Sequence, residues 1–368
     1  MTRKIYIFDY IGTHCGMHYY NAVFKELLSE IPDTNIEILS NYADTAQRKP
    51  FLRNFYVRNK IVGVAILLYD FFKLLCKRIA EPHATFIVLS YGNPIDVGFI
   101  LFACAVARHT VVDIHEAVAQ DAEHHRWLVA LYAFLYARCV KSVIIHSERT
   151  RSFMQRFGFK GRTMYVPHFK YALKKDYDPA NIAPDVRNAI AKDKTNVLFF
   201  GNLTYNKGVD ILLDAYLALP DSARERLNII VAGRDIDGTV GKVNVGGERN
   251  VHLILRHISD DELVMLYSST DFIALPYRQT SQSGILEMAF YFRKPIIASR
   301  IEYFEYMLSR FASFGLLTGN TVEEYAQTLA TLPDTDRSAF YRADNYDLYC
   351  NRREMAEFVA EFKKYLAL

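Results

Sequence analysis

Short strand-like runs alternate with helix-length runs along the chain, and this alternation restricts the possible folds more than any other feature. Such alternation is typical of parallel sheets covered by helices. The strand-like runs of the first half are Lys4–Tyr10, Ile36–Leu39, Phe86–Ser90, Thr110–Ile114, Ser142–Ile145 and Thr163–Val166. The first half therefore predicts an α/β domain of the Rossmann-like type.

A polar stretch at 171–195 interrupts the pattern, because it is rich in Lys, Asp, Pro and Asn and lacks apolar periodicity. A second series follows it: Val197–Phe200, Leu227–Ala232, Val251–Leu255, Phe272–Leu275 and Pro295–Ala298. We therefore predict two Rossmann-like domains, 1–170 and 196–344, that face each other across a cleft, with 171–195 as a linker. The C-terminal helix, 345–368, is placed to pack back on the first domain.

Composition excludes several classes of protein. The 44 basic and 41 acidic residues give a net charge of +3, which is too weak a bias to favour nucleic acid. The five cysteines form no Cys-x-x-Cys pair, so neither a zinc site nor a disulfide framework is expected. No run approaches the roughly 20 apolar residues of a membrane-spanning helix. We expect a cytoplasmic protein.

The segment Leu275–Ser299 has the sharpest chemical pattern. A strand ends, a polar loop containing Ser281, Gln282 and Ser283 follows, and Gly284 begins a helix. Free backbone N–H groups and the helix dipole favour an anion at such a helix start, and glycine allows a phosphate to approach closely. An ordinary capped helix start has the same composition, so both interpretations stay open here.

The segment Phe199–Tyr216 is the second candidate. Gly201 directly after a strand permits a tight turn, and Lys207 precedes the next helix. An ammonium at that place can neutralise a departing diphosphate. A solvated loop lysine is the alternative.

Together the two segments, FFGNLTYNKGVDILLDAY and PYRQTSQSGILEMAFYFRKPIIAS, resemble the family 4 retaining glycosyltransferases of the GT-B fold, glycosyl transferases group 1. The VAGR at Val231–Arg234 and the pattern at Asp261–Asp271 agree with this in order. The resemblance implies an enzyme of the hexosyltransferase type. By this resemblance, the enzyme transfers a sugar from a nucleoside-diphosphate sugar to a saccharide or lipid-linked saccharide acceptor. The pathway that the resemblance implies is bacterial cell-surface polysaccharide biosynthesis.

The resemblance also implies roles for particular residues. Lys207 is similar to the lysine that binds the donor phosphates, and His115 to a strand-end histidine that reaches the transferred sugar. Gly16 lies in a loop that faces the acceptor and diphosphate. The remaining donor-binding positions are Gly201, Asn202, Arg234, Gln282, Ser283 and Gly284, with His257 and Ile258 near the nucleobase. His115, Lys207 and Glu287 are the predicted catalytic residues.

Two departures from the family pattern leave an alternative open. Asn202, Leu203 and Thr204 stand where an arginine is usual. The two usual glutamates fall on Thr280 and Met288, and Glu287 is one residue, or about 100° of helix, away. We still predict a donor contact for Glu287, but a non-catalytic partner subunit with this fold, in a polysaccharide-assembly complex, is the alternative. A nucleotide-sugar epimerase would need an acid/base pair that no segment supplies.

No cluster of His, Asp and Glu has the spacing typical of metal ligands, so we predict no metal and no cofactor. His146, His168 and the pair His124 and His125 are expected to be structural or solvated.

The segment 48–78 holds eight Lys or Arg and one acid, Asp70, interleaved with aromatic residues. Basic residues beside aromatic ones suit peripheral contact with an anionic membrane, here the inner face of the plasma membrane. The alternative is an amphipathic helix that packs on its own sheet and exposes a solvated basic face.

Overall fold

The computed structural model describes residues 2–43, 49–54, 57, 59–106, 109–116, 126–167, 173–280, 282–350 and 352–367, without the side chains at 14, 15, 102, 103, 105 and 106. It divides into two compact units. The first comprises 1–172 together with 352–368, and the second comprises 173–351. Residues 173–195, expected to form a linker, are thus counted with the second unit.

The first unit contains a six-stranded parallel sheet in the order β2-β1-β3-β4-β5-β6. Its strands are β1 Arg3–Asp9, β2 Thr34–Ser40, β3 Thr85–Ser90, β4 Thr110–Ile114, β5 Ser142–Ile145 and β6 Arg162–Tyr165. All residues of β3 and β4 are buried. Burial on both faces explains why these strands are nearly continuous apolar runs in the sequence.

Helices cover both faces of this sheet: α1 Met17–Ser29, α2 Lys60–Ala80, α3 Pro94–Val106, α4 Arg126–Arg138, α5 Glu148–Arg156 and α14 Arg353–Leu366. The steps β2 to β3, β3 to β4 and β4 to β5 all run in one direction across the sheet, whereas β1 to β2 runs in the other. Because such crossovers are right-handed, α2, α3 and α4 lie on one face and α1 on the opposite face. The C-terminal helix α14 packs against α1 and β6.

The second unit contains another six-stranded parallel sheet, in the order β12-β11-β10-β7-β8-β9. Its strands are β7 Thr195–Phe200, β8 Leu227–Ala232, β9 Val251–Ile254, β10 Phe272–Leu275, β11 Ile296–Ser299 and β12 Gly315–Thr318. Its helices are α6 Pro184–Asn188, α7 Val209–Leu217, α8 Asp221–Arg224, α9 Asp260–Ser269, α10 Gly284–Tyr291, α11 Glu302–Arg310, α12 Val322–Thr331 and α13 Ala343–Cys350. The two predicted Rossmann-like α/β domains are confirmed.

None of the described helices is both long enough and apolar enough to cross a bilayer.

Candidate active site

Two glycines lie side by side at the carboxyl edge of the second sheet. Strands β7 and β8 pair in register up to Phe200 and Ala232, so Gly201 and Gly233 follow neighbouring strand ends. Their φ angles of 122° and 140° are conformations that other residues rarely adopt. A Cβ on Gly233 would overlap the carbonyl oxygen of Gly201. The chain therefore turns sharply here and presents bare backbone at the sheet edge.

The ammonium of Lys207 lies at this bare edge. Its Nζ is 3.2 Å from the point where a Cβ of Gly201 would stand, and Cδ1 of Ile285, in the first turn of α10, is 3.4 Å from the same point. Lys207 Nζ also lies 5.7 Å from the ring centre of Tyr277. The predicted lysine, the predicted glycine and the start of α10 are thus brought together in one place.

The start of α10 has the geometry of an anion-binding helix terminus. Ser283 is the N-cap, and its hydroxyl accepts a hydrogen bond of 3.2 Å from the amide of Leu286. The amides of Gly284 and Ile285 have no acceptor within the helix because they belong to its first turn. The hydroxyl of Ser283 therefore caps the helix, and the first-turn amides are the donors left for an anion. Gln282 is half-buried beside them, and Ser281 lies outside the described residues.

Arg278, which the sequence did not single out, fixes the Lys207 loop to the α10 loop. Its guanidinium binds both carboxylate oxygens of Asp210 at 2.9 and 2.7 Å and lies 3.7 Å from the ring centre of Tyr205. Its backbone amide donates to the carbonyl of Asn206 at 2.8 Å, and the Asn206 side chain donates to the carbonyl of Gln279 at 3.0 Å. These bonds hold the loops that follow β7 and β10 against each other.

The loop after β8 supports the same region. The carbonyl of Arg234 accepts a 2.8 Å hydrogen bond from the amide of Leu203, and the side chains of Asn202 and Arg234 are exposed. The Asp237 carboxylate accepts a hydrogen bond of 2.8 Å from the amide of Tyr205. Asn202 and Arg234 thus project from adjacent strand ends, beside the loop that carries Lys207.

The segment after β9 is held by an ion-pair network. Arg256 binds Asp185 at 2.8 Å and Glu262 at 2.7 Å, and its hydrogen bonds lower the pKa of Glu262 to about 2. The same guanidinium donates to the carbonyl of His257 at 2.9 Å. The His257 side chain is exposed and Ile258 is buried. The network therefore fixes the backbone of the segment predicted to lie near a nucleobase.

Glu287, which the sequence predicted as a donor contact, lies on the side of α10 that faces α13. It is buried and accepts a hydrogen bond from the hydroxyl of Tyr349, on α13. Tyr349 in turn packs edge-on against Phe290 at 4.8 Å and near Phe314 at 5.7 Å. The rotation of about 100° from the Met288 position thus brings the carboxylate to the α13 side of the helix.

This contact gives a testable effect on stability. Removing the hydroxyl in Tyr349→Phe takes a hydrogen bond from a buried carboxylate, so the free energy of unfolding should fall by about 1–3 kcal/mol. Urea denaturation of the whole chain measures it. Tyr177→Phe, at an exposed tyrosine of the same unit, should leave the midpoint unchanged. Equal midpoints for the two variants would contradict the assignment.

In the first unit, two histidines meet one carboxylate at the carboxyl ends of β4 and β5. His146 Nε2 lies 2.8 Å from Asp113 Oδ1, and His115 Nε2 lies 3.7 Å from Asp113 Oδ2. Tyr20 donates to Asp113 at 2.8 Å. The Nδ1 of His146 donates to the carbonyl of Val166 at 2.9 Å. The ring of His146 thus bridges the Asp113 carboxylate and the backbone carbonyl of Val166.

The charges of this cluster follow from burial and pairing. Burial alone would raise the pKa of Asp113, but the imidazoles of His146 and His115 outweigh burial and hold that pKa well below its usual range. Burial lowers the pKa of His115 against the opposing effect of Asp113, so its ring is neutral at pH 7. The donor atoms of the three residues lie within 4.8 Å of one another, a set that is compatible with a metal ion. Sequence spacing did not reveal this cluster; His124, His125 and His168 lie outside the described residues.

The ring of His115 is oriented by two tyrosines. It stacks on Tyr91 at 5.5 Å and 21° and meets Tyr20 edge-on at 4.5 Å and 89°. The Tyr91 hydroxyl donates to Asp9 at 2.7 Å, and Asp9 also accepts the amide of Gly12 at 3.0 Å. His115 is thereby connected to the glycine loop that leads to α1.

Gly16 ends that loop with a φ of 72°, the left-handed conformation that glycine adopts most easily, and α1 begins at the next residue.

Comparison with known proteins agrees with this geometry. Residues 194–334 match the family model described as Glycosyl transferases group 1. No curated protein matches the sequence.

Solved structures resemble the chain over its full length. Sucrose-phosphate synthase from Thermosynechococcus elongatus has 16% identity and a TM-score of 0.72, with 99% of this chain and 98% of that chain covered. Anabaena HepE in complex with UDP-glucose has 16% identity and a TM-score of 0.69, with 99% of both chains covered. WaaG, a glycosyltransferase involved in lipopolysaccharide biosynthesis, has 14% identity and a TM-score of 0.65, with 98% and 99% covered.

At these identities the solved structures establish the fold, and the family match establishes the kind of domain that 194–334 forms. Residues 194–334 thus form a domain of the glycosyl transferases group 1 family, and the whole chain, with its two Rossmann-like units, has the GT-B fold.

Proposed function

We propose that this glycosyltransferase moves a hexosyl group from a nucleoside-diphosphate sugar to a hydroxyl of a saccharide or lipid-linked saccharide, with retention of anomeric configuration. The observation that carries the proposal is the convergence of Lys207 Nζ, the bare backbone at Gly201 and the start of α10. An ammonium and first-turn helix amides are the groups that stabilise a diphosphate.

The donor nucleotide is assigned to the second unit. HepE, which shares the fold, has been solved with UDP and with UDP-glucose, and this supports a uridine nucleotide as the first candidate. We assign the nucleobase to the backbone of His257 and Ile258, which the ion pairs of Arg256 hold in place. Asn202 and Arg234, exposed at neighbouring strand ends, are assigned to the sugar-phosphate portion.

The reaction breaks the bond between the anomeric carbon and the diphosphate oxygen, and the electron pair leaves with that oxygen. Lys207 and the amides of Gly284 and Ile285 stabilise the negative charge as it develops; preorganised stabilisation of this kind often makes the largest single contribution to rate enhancement. The acceptor oxygen attacks on the face that the diphosphate leaves, through an oxocarbenium-like state, and its proton passes to the departing phosphate. The proposed reaction uses neither a metal nor a cofactor.

We assign neutral His115 to a hydroxyl of the transferred sugar, as the family resemblance implies, and Gly16 to the loop near the acceptor. Asp113 and His146 are positioning residues for His115 through the buried cluster. Glu287 is left out of the donor contacts because its carboxylate is bound to Tyr349.

The setting we propose is cell-surface polysaccharide biosynthesis on the cytoplasmic side of the plasma membrane. Similarity in fold to WaaG, which is involved in lipopolysaccharide biosynthesis, supports an acceptor of this class. A lipid-linked acceptor requires the enzyme to reach a membrane surface.

A thermal-shift screen with UDP- and GDP-sugars tests the donor assignment. A ligand at about 100 times its Kd adds about 2.7 kcal/mol of stability, so the matching nucleotide sugar should raise the melting temperature of the second unit by several degrees. If no nucleotide sugar changes the melting temperature, the assignment of the donor site is wrong. A donor that binds but is neither transferred nor hydrolysed with any acceptor would instead favour the non-catalytic partner subunit.

A further inference from the structure

Helix α2 has an unusual distribution of side chains, because many of its apolar residues are exposed. Ile61, Leu68, Phe72 and Ile79 are 81, 64, 63 and 67% exposed, and Val64 is exposed with them. In chain order, the first four positions recur at three- and four-residue intervals, and Ile79 follows Phe72 after seven residues, or two turns, so they form one stripe along the helix. At 1.5 Å per residue the stripe is about 27 Å long.

Beyond Lys60 at its start, the charged residues of α2 are turned the other way. Asp70 and Arg78 are buried, and Asp70 accepts the backbone amide of Arg53 at 3.1 Å. Lys73 donates to the carbonyl of Phe51, and Lys77 pairs with acidic residues of its own unit, Glu37 at 3.6 Å and Glu81 at 3.5 Å. Over 70–78 the charged side chains of α2 are thus held within the unit and do not form a solvated basic face.

The apolar surface continues onto the neighbouring helices of the same face. Phe71, on α2, stacks on Phe99, on α3, with 4.2 Å between ring centres, and α3 packs against α4. On α4, Trp127 and Phe134 are 59 and 58% exposed. We call the exposed apolar residues of these helices the α2–α4 surface; its members are Ile61, Val62, Val64, Leu68, Tyr69, Phe72, Ile79, Leu101, Trp127 and Phe134.

The charges at the borders of this surface have one sign. Among the described residues of α2 and α4 that are exposed, the charged ones are Lys60, Arg126 and Arg138, and all three are cationic. They lie at the helix ends, with apolar residues between them. Arg53 is also exposed, and its guanidinium lies 4.6 Å from the ring centre of Tyr69.

We propose that the α2–α4 surface inserts its apolar side chains into the interface of an anionic phospholipid membrane. An apolar stripe of this size on a water-exposed helix marks an interaction site. Cations at its borders complement anionic headgroups, and Trp and Tyr favour the level of the headgroups. The exposed face of such a helix should carry no acidic residue, because anionic headgroups would repel it. The proposal deepens the proposed function, on which it rests, because it names the surface on which a lipid-linked acceptor is met.

This binding mode differs from the one that composition indicated for 48–78. The apolar side chains supply most of the binding, and charge supplies the orientation. Arg48, Phe55, Tyr56 and Arg58, which contributed to the composition of that segment, lie outside the described residues. Binding of this kind weakens with salt but does not vanish, because apolar insertion is not screened.

Co-sedimentation of the full chain with vesicles of phosphatidylcholine and phosphatidylglycerol tests the proposal. The double variant Leu68→Glu/Phe72→Glu should lower the partition coefficient by about tenfold or more, since it places two charges where apolar area is buried. The matched control is Leu348→Glu, at a leucine of the second unit that is 56% exposed; it should bind vesicles like the wild type. In about 1 M NaCl, where the screening length is about 3 Å, the wild type should keep measurable binding.

Three results would overturn the proposal: no sedimentation of the wild type with these vesicles, wild-type sedimentation of the double variant, or complete release in about 1 M salt. A dimer in the absence of lipid, which the double variant dissociates, would assign the surface to a second copy instead and also overturn it. Donor binding by thermal shift, measured on the same double variant, should be unchanged. The two proposals can fail separately. If no nucleotide sugar binds but vesicle binding still depends on Leu68 and Phe72, the proposed function is refuted and the membrane surface is not.

Discussion

Replacing Lys207 by alanine is expected to lower kcat by about 10²–10³ and to remove the thermal shift that the donor nucleotide sugar produces. Removing one preorganised group that stabilises developing negative charge has an effect of this size. The ammonium lies beside Gly201 and the start of α10. Without it, only backbone amides would stabilise the departing diphosphate at the proposed site. Steady-state kinetics and thermal shift with the same donor measure the two effects.

The control for this variant is Lys192→Ala. Lys192 is exposed and precedes β7, at the end of that strand opposite to Gly201, so both readouts should match the wild type. Lys207→Arg keeps the charge but replaces a compact ammonium by a planar guanidinium. Relative to the wild type, we expect this variant to retain a larger fraction of donor binding than of turnover. A Lys207→Ala enzyme with normal turnover would remove this residue from the diphosphate site.

The largest effect on stability is expected from Asp113→Asn, which should lower the free energy of unfolding by about 3–5 kcal/mol. The substitution removes the buried negative charge that lies 2.8 Å from His146 Nε2, and it disturbs the hydrogen bond from Tyr20. Urea denaturation at pH 7 measures the loss. Asp176→Asn, at an exposed position, should have no comparable effect, and a loss below about 1 kcal/mol in Asp113→Asn would contradict a stabilising role for the buried carboxylate.

The pH dependence of stability gives a second readout for Asp113. Its folded-state pKa is held below the unfolded value of about 3.9. The stabilisation is therefore complete above the unfolded pKa and is lost as the pH falls below about 4, toward the depressed folded-state pKa. The wild type should lose stability in this range more steeply than Asp113→Asn, which has no carboxyl group to protonate at this position.

The sequence predicted the parts of the fold that depend on local pattern. Strand ends at Phe200 and Leu275, and the helix start at Gly284, are determined by apolar runs and by a cap of Ser283, so they could be read directly. The rotation of Glu287 away from the Met288 position also followed from counting residues along a helix. Its partner Tyr349 did not, because that contact joins α10 to a helix more than fifty residues later.

Contacts between distant segments account for what the sequence did not show. Arg278 and Asp210 belong to no common pattern, and only the parallel order of β10 and β7 brings their loops together. The composition of α2 indicated basic and aromatic residues but not which of them face the sheet. Asp113 and His146 meet because β4 and β5 are neighbours, whereas His146 by itself had no functional signature.

The course of the chain through the two units has a consequence for how the protein folds during synthesis. The first unit includes α14, whose Phe358 and Phe362 are buried in the core of that unit. The ribosome makes these residues only after it has made the whole of 173–351. The second unit, a continuous segment, can therefore complete its core before the unit that precedes it. Until α14 arrives, the nascent first unit exposes the apolar side of α1, which is a target for chaperones during translation.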